Sequence, residues 1–224
     1  MKKKNILKWT LILFISSLIL LTNFKLVLFN EDFYQQEFTK LNIYNKFENA
    51  DEINKDLLNY FKNKENLIQN DFFNEKEKSH LADVKRLINI SLNLFYLLLI
   101  SSIVLLVLSL IHNKDRIKSL SNIFILSAIL TFTKLLFTYI LIRLNFSTIF
   151  LSFHYVFFPQ GNFLFNPAVD NIVNLYPSQF FLDITQRMIT DTLFWAFIVL
   201  LIGILLPIIA NNKIFIVKKN KKKQ

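Results

Sequence analysis

Three side chains of this sequence titrate near neutral pH, those of His80, His112 and His154. His80 stands three residues before Asp83, a spacing that puts the two on neighbouring positions of one helix face. A carboxylate there would orient the imidazole and stabilise its protonated form, as in hydrolytic triads, although a solvated histidine beside a helix-surface aspartate has the same spacing. His154 falls in the stretch 153–181, FHYVFFPQGNFLFNPAVDNIVNLYPSQFF, which also holds Pro159, Gly161, Pro167, Asp170 and Pro177. Proline removes a backbone donor and interrupts helices, so these residues are expected to form an irregular, aromatic-rich loop. That loop is either the seat of the function or an interfacial segment whose phenylalanines rest among lipid headgroups. A metal bound by His80, Asp83, His154 and Asp170 has no HxxxH or HExxH spacing behind it, so neither a metal nor a cofactor is assigned. With no cysteine in the chain, disulfides and thiolate chemistry are excluded.

The elements that must position these residues are membrane helices. Of the 224 residues 53% are hydrophobic and 25 are phenylalanine. The apolar residues gather into runs long enough to cross about 30 Å of hydrocarbon. Four spans are expected, at about 5–24, 87–111, 119–142 and 190–210, which gives an all-α membrane protein. The first is read as a retained helix, since its apolar run passes Lys25 without a cleavage site of small residues. Between the first two spans lies the polar segment 30–86. In it Ile53, Leu57, Phe61 and Ile68 share one face of an amphipathic helix, which fits either the bilayer surface or a small packed domain. Asn74 reads as an N-cap with Glu77 completing a reciprocal capping box, and the helix starting there runs through His80 and Asp83 into the second span.

The formal net charge of +10 comes largely from lysines crowded at the chain ends beside apolar runs. Anionic headgroups, not nucleic acid, are the partner this arrangement implies. Thirteen of the 26 Lys and Arg residues lie in 1–8, 112–118 and 211–224, whereas 144–189 holds only Arg187. Both termini are therefore expected in the cytoplasm, with 30–86 and 144–189 outside. His80 and His154 then share the outer side, His80 roughly 10 Å beyond the bilayer edge at 1.5 Å per residue. His112 is left in the cytoplasmic turn beside Lys114 and Arg116. Lys134 falls near the middle of the third span, where a charge faces a cavity, finds a partner or snorkels. Arg187 and Asp191 are candidates for the same polar surroundings.

Three blocks carry a resemblance: YQQEFTKLNIY at 34–44, EKSHLADVKRLI at 77–88, and the 153–181 stretch. In them, and in helix order over nearly its whole length, the chain resembles a family of bacterial and archaeal four-helix integral membrane proteins that includes the lipoprotein intramolecular transacylases. The family pattern often has Trp where this chain has Phe163 and Asp where it has Asn166, departures that bear on substrate fit. The resemblance implies acyl transfer within one diacylglyceryl lipoprotein, from the sn-2 position to the α-amino group of the lipid-bearing cysteine, with membrane lipid as the surrounding partner. It implies His154 as general base, with His80, supported by Asp83, donating to the oxyanion or the leaving oxygen; the two roles are exchangeable. Lys134, Arg143, Asn162, Asp170 and Arg187 are the expected substrate-binding residues. A non-enzymatic transport or assembly protein and a metal-dependent membrane hydrolase are the alternatives.

Overall fold

The computed structural model describes residues 2–64, 71–113 and 115–221, and those residues contain helices and no strands. In chain order they form α1 (Lys2–Leu28), α2 (Glu31–Lys40), a 3-10 turn (Ile43–Asn45), α3 (Ala50–Phe61), α4 (Glu75–His112), α5 (Arg116–Phe157), α6 (Ile172–Leu175) and α7 (Ser178–Lys221). Helices α1, α4, α5 and α7 are each long and apolar enough to cross a membrane. The chain divides into two compact units, and the long helices contribute to both.

The first unit comprises residues 1–23, 94–138 and 189–224. Leu11, Ile12 and Ile123 form its buried core, joined by Ile15, Leu105, Leu106, Phe124, Leu126 and Leu130. Hydroxyl groups stitch α1 to α5: Thr131 Oγ1 donates to Ser16 Oγ at 3.1 Å, and Ser127 Oγ to the Ile12 carbonyl at 3.4 Å. Such polar contacts and small residues stand in for the hydrophobic drive that lipid does not supply between helices. Gly203 shows how closely α7 approaches α5, since a Cβ there would meet Ile125 Cγ1 at 2.9 Å.

The second unit comprises residues 24–93 and 139–188, and its core is aromatic. Asn30 caps α2, its Oδ1 accepting from the Phe33 amide at 3.1 Å. The helix then delivers Phe33, Tyr34 and Phe38 to a ring cluster with Tyr176 and Phe180. Both tyrosine hydroxyls find partners, Tyr34 donating to the Leu28 carbonyl and Tyr176 to Asn54 Oδ1, each at 2.9 Å. Ile53, Leu57 and Phe61 of α3 are buried in this core, so the apolar face of the amphipathic helix is packed within a domain. Ile68, expected on the same face, lies outside the described residues. Lys40 ties α2 to α7, donating to Asp183 Oδ2 at 2.8 Å and to Glu37 Oε2 at 3.1 Å.

Two boundaries differ from the sequence expectation. Helix continues beyond residue 142 to Phe157, so His154 is a helical residue and not part of an irregular loop. The cause is Asn145, whose extended backbone (φ −168°, ψ 92°) interrupts α5. Its side chain then accepts from the Thr148 amide at 3.0 Å, capping a fresh helical segment. Pro159 restrains only its immediate neighbourhood, leaving residues up to 157 free to stay helical. At the other end α7 starts at Ser178, directly after Pro177, so the irregular stretch is confined to 158–177 and is itself interrupted by α6.

Candidate active site

The site lies wholly within the second unit and begins with the first turns of α4. Asn74 and Glu77 form the capping box expected from their spacing: the Glu77 amide donates to Asn74 Oδ1 at 3.0 Å, and the Asn74 amide donates to Glu77 Oε2 at 2.7 Å. The other Glu77 oxygen, Oε1, accepts from the Ile172 amide at 2.6 Å, so a fully buried carboxylate both starts α4 and holds α6 against it. Further contacts clasp the loop to the same helix end. Asn74 Nδ2 donates to Asp170 Oδ1 at 2.7 Å, Asn171 Nδ2 to the Phe72 carbonyl at 2.7 Å, and Lys76 Nζ to the Leu164 carbonyl.

One turn further along α4, the buried ring of His80 meets His154 from the capped segment of α5, with ring centroids 5.9 Å apart and planes inclined by only 21°. Phenylalanines enclose the pair. Phe158 and Phe165 lie 4.7 Å and 5.3 Å from His80, and Phe150 and Phe163 lie 4.3 Å and 5.1 Å from His154. Each imidazole is oriented through Nδ1. That of His154 donates to the Phe150 carbonyl one turn back, at 2.7 Å. That of His80 faces Asn162 Oδ1 at 3.4 Å. The Asn162 amide in turn donates to Asp83 Oδ2 at 2.7 Å and to Ser79 Oγ at 3.3 Å, and Gln160 Nε2 donates to the same Asp83 oxygen. Asp83 therefore reaches His80 through a side-chain amide, not by the direct contact that the i, i+3 spacing implies. Nδ1 is thus the engaged ring nitrogen of both imidazoles.

The remaining expected site residues fall elsewhere. Asp170 is buried and its carboxylate serves the loop: Oδ2 accepts from the Asn166 amide at 2.7 Å while Oδ1 takes Asn74. Those two hydrogen bonds hold its pKa below the ordinary carboxylate range. Asn162 stands between the histidine and the carboxylate. Arg143 and Arg187 are exposed on the second unit. Lys134 belongs to the first unit, where Nζ donates to Ser17 Oγ at 3.2 Å. Among the described residues no three His, Asp or Glu side chains are grouped so as to hold a metal ion. Gln160, Glu77 and Lys76 are contributors that the histidine spacing did not point to. The Gln160-Gly161-Asn162 run carried the signal, two amides two residues apart with a glycine between them.

A histidine pair on a helix end and a clasped loop is the arrangement against which relatedness can be judged. The lipoprotein intramolecular transacylase (Lit) family matches residues 9–181. The chain belongs to this family. It is therefore an acyltransferase by family, and the non-enzymatic alternative is set aside. Solved structures of the membrane-integral Lit from Bacillus cereus share the fold. One is 18% identical with a TM-score of 0.72 and 99% of each chain covered. A variant with a histidine replaced by alanine is 17% identical, with a TM-score of 0.77 and 95% of this chain and 96% of that chain covered. A histidine-to-arginine variant is 19% identical, with a TM-score of 0.74 and 100% and 96% covered. No curated protein matches the sequence.

Proposed function

We propose that this Lit-family protein moves an acyl chain within one lipoprotein molecule, from the sn-2 ester of the diacylglyceryl group to the α-amino group of the lipid-bearing cysteine. The observation that carries the reading is the juxtaposition of His80 and His154, each engaged at Nδ1. The reaction needs an ammonium to lose a proton before nitrogen attacks the ester carbonyl. It then needs the tetrahedral oxyanion to be stabilised and the glycerol oxygen to be protonated as the C–O bond breaks. An imidazole can take the proton in the first step and return it in the last, and a second imidazole can donate to the oxyanion. The ester is exchanged for an amide with no net change in atoms, so no external acyl donor enters the balance.

The apolar surroundings suit the substrate. Phenylalanine rings wall the imidazoles, and residues 144–169 carry no Lys, Arg, Asp or Glu. The excess of Lys and Arg in 1–8, 112–118 and 211–224 supports a cytoplasmic-membrane protein whose termini face inward and whose histidine pair faces the outer leaflet. The test is mass spectrometry of the N-terminal lipopeptide of a model lipoprotein, expressed with and without this protein in a host that leaves the diacylglyceryl form unaltered. Fragmentation should show an N-acyl, S-monoacylglyceryl peptide. His80→Ala and His154→Ala, still membrane-inserted, should each lower its formation by about 10²–10⁴-fold. An unchanged diacylglyceryl peptide beside well-expressed protein would refute the proposal.

A further inference from the structure

We infer that Asn162 is a positioning residue that fixes the tautomer of His80 on behalf of Asp83, and so leaves the His80 Nε2 lone pair for proton transfer. The inference rests on the acyl-transfer reading above. A carboxylate only accepts hydrogen bonds, so the Asn162 atom 2.7 Å from Asp83 Oδ2 is its amide nitrogen. The amide carbonyl then points the other way, at His80 Nδ1, and a carbonyl also only accepts. Nδ1 must carry the proton, and in the neutral ring the lone pair is at Nε2. The direction of each bond is thus set by the residue furthest from the histidine.

When His80 Nε2 takes the proton of the substrate ammonium, the positive charge is stabilised along Nδ1–H···O=C–N–H···carboxylate without a proton moving along the chain. The same Nε2–H then donates to the departing glycerol oxygen, which returns His80 to its starting form. His154 is held differently, its Nδ1 donating to the Phe150 carbonyl. Gln160 contributes by donating to the same Asp83 oxygen, so the carboxylate cannot turn away from Asn162 without losing two donors.

The chain contains only three histidines, so selective labelling with ¹⁵N-histidine gives a tractable spectrum of the full-length protein in lipid nanodiscs. His80→Ala assigns the His80 signals. The wild type should show His80 protonated at Nδ1. Asp83→Asn replaces an obligate acceptor by a group that can donate or accept, so it should populate both tautomers. It should also lower kcat by about 10–100-fold, the usual loss when a supporting partner is removed. KM should stay the same. Asn162→Leu should match it, and the double variant should be no slower than the slower single variant, because both act through one chain. Asp83→Asn with wild-type kcat and an unchanged tautomer would overturn the inference while leaving the transacylase reading intact. A slow variant that keeps the wild-type tautomer would overturn it too. Full turnover by His80→Ala would instead remove the reading on which the inference stands.

Discussion

Replacing Glu77 by alanine tests whether one buried carboxylate holds both the start of α4 and the loop. Glu77 is fully buried and accepts from two amides, those of Asn74 and Ile172. Alanine leaves both donors without their acceptor. The Asn74 amide lies at an exposed helix start and can recruit water, so its loss costs about 0.5–1 kcal/mol. The Ile172 amide is buried, and leaving it unsatisfied costs about 1–3 kcal/mol. The sum, roughly 2–4 kcal/mol, is a large part of the ~5–15 kcal/mol that keeps a domain folded. At about 2–4 °C per kcal/mol for a chain of this size, thermal unfolding in detergent should shift down by roughly 5–15 °C. Glu77→Gln supplies the control. It keeps one carbonyl oxygen for Ile172 and turns an NH₂ towards Asn74, so only the smaller loss is expected, about 1 kcal/mol. Equal melting of Glu77→Ala and wild type would refute the clasp. Equal losses from Gln and Ala would show that charge, and not acceptor count, is what Glu77 supplies.

Two further predictions concern the loop. Gly161 has φ +75°, and a Cβ there would touch nothing within 4 Å. Gly161→Ala should therefore cost only the backbone term, about 1–2 kcal/mol, and by displacing Asn162 it should reduce turnover in the same lipopeptide assay. A fully active Gly161→Ala would mean that the turn tolerates another conformation. Acid should loosen the loop through Asp170. Its folded pKa is depressed by the Asn166 amide and the Asn74 side chain, so its contribution is present above the unfolded value of about 4 and is lost as pH falls through the lower folded value. Hydrogen exchange at the Asn166 amide should accordingly stay protected at neutral pH and quicken only below about pH 4, after correction for intrinsic rates. Loss of protection already near pH 6, where Asp170 is ionised, would refute the assignment.

The features legible in the sequence were those set by neighbours along the chain. Four apolar runs of spanning length need no partner to be recognised, and the Asn74–Glu77 box satisfies its bonds within four residues. The amphipathic pattern of 53–61 correctly marks a buried face but cannot name what covers it, because a bilayer and the Phe33–Tyr176–Phe180 cluster are equally apolar. Asn145 escapes a reading that looks to proline for the helix breaker. An asparagine at the head of NFST supplies the cap that both ends one helical segment and begins the next. The i, i+3 spacing of His80 and Asp83 suggested direct contact, yet neighbouring positions on a helix do not make two short side chains turn towards each other. The amide that joins them comes from 79 residues downstream of Asp83, and no local pattern shows such a partner.

The loop's contacts follow one geometric rule. Asn74, Glu77, His80 and Asp83 recur every three residues, so they lie along a single oblique ridge of α4 and not on a line parallel to its axis. Over residues 160–170 the loop runs in the opposite direction beside that ridge: residues 160 and 162 meet Asp83, residue 162 meets His80, residue 164 meets Lys76 next to the ridge, and residue 170 meets Asn74, before residue 172 turns back to Glu77. Cap, clasp, imidazole and carboxylate thus lie along one helix surface and are contacted by one loop. The end of the ridge at Asn74 and Glu77 holds residues 170 and 172 of the same loop that carries Asn162. If His80 carries the proposed proton transfer, Glu77→Ala should lower turnover in the lipopeptide assay as well as melting temperature, because both the helix start and Asn162 depend on the placement of this one loop; full turnover in a destabilised variant would refute that link.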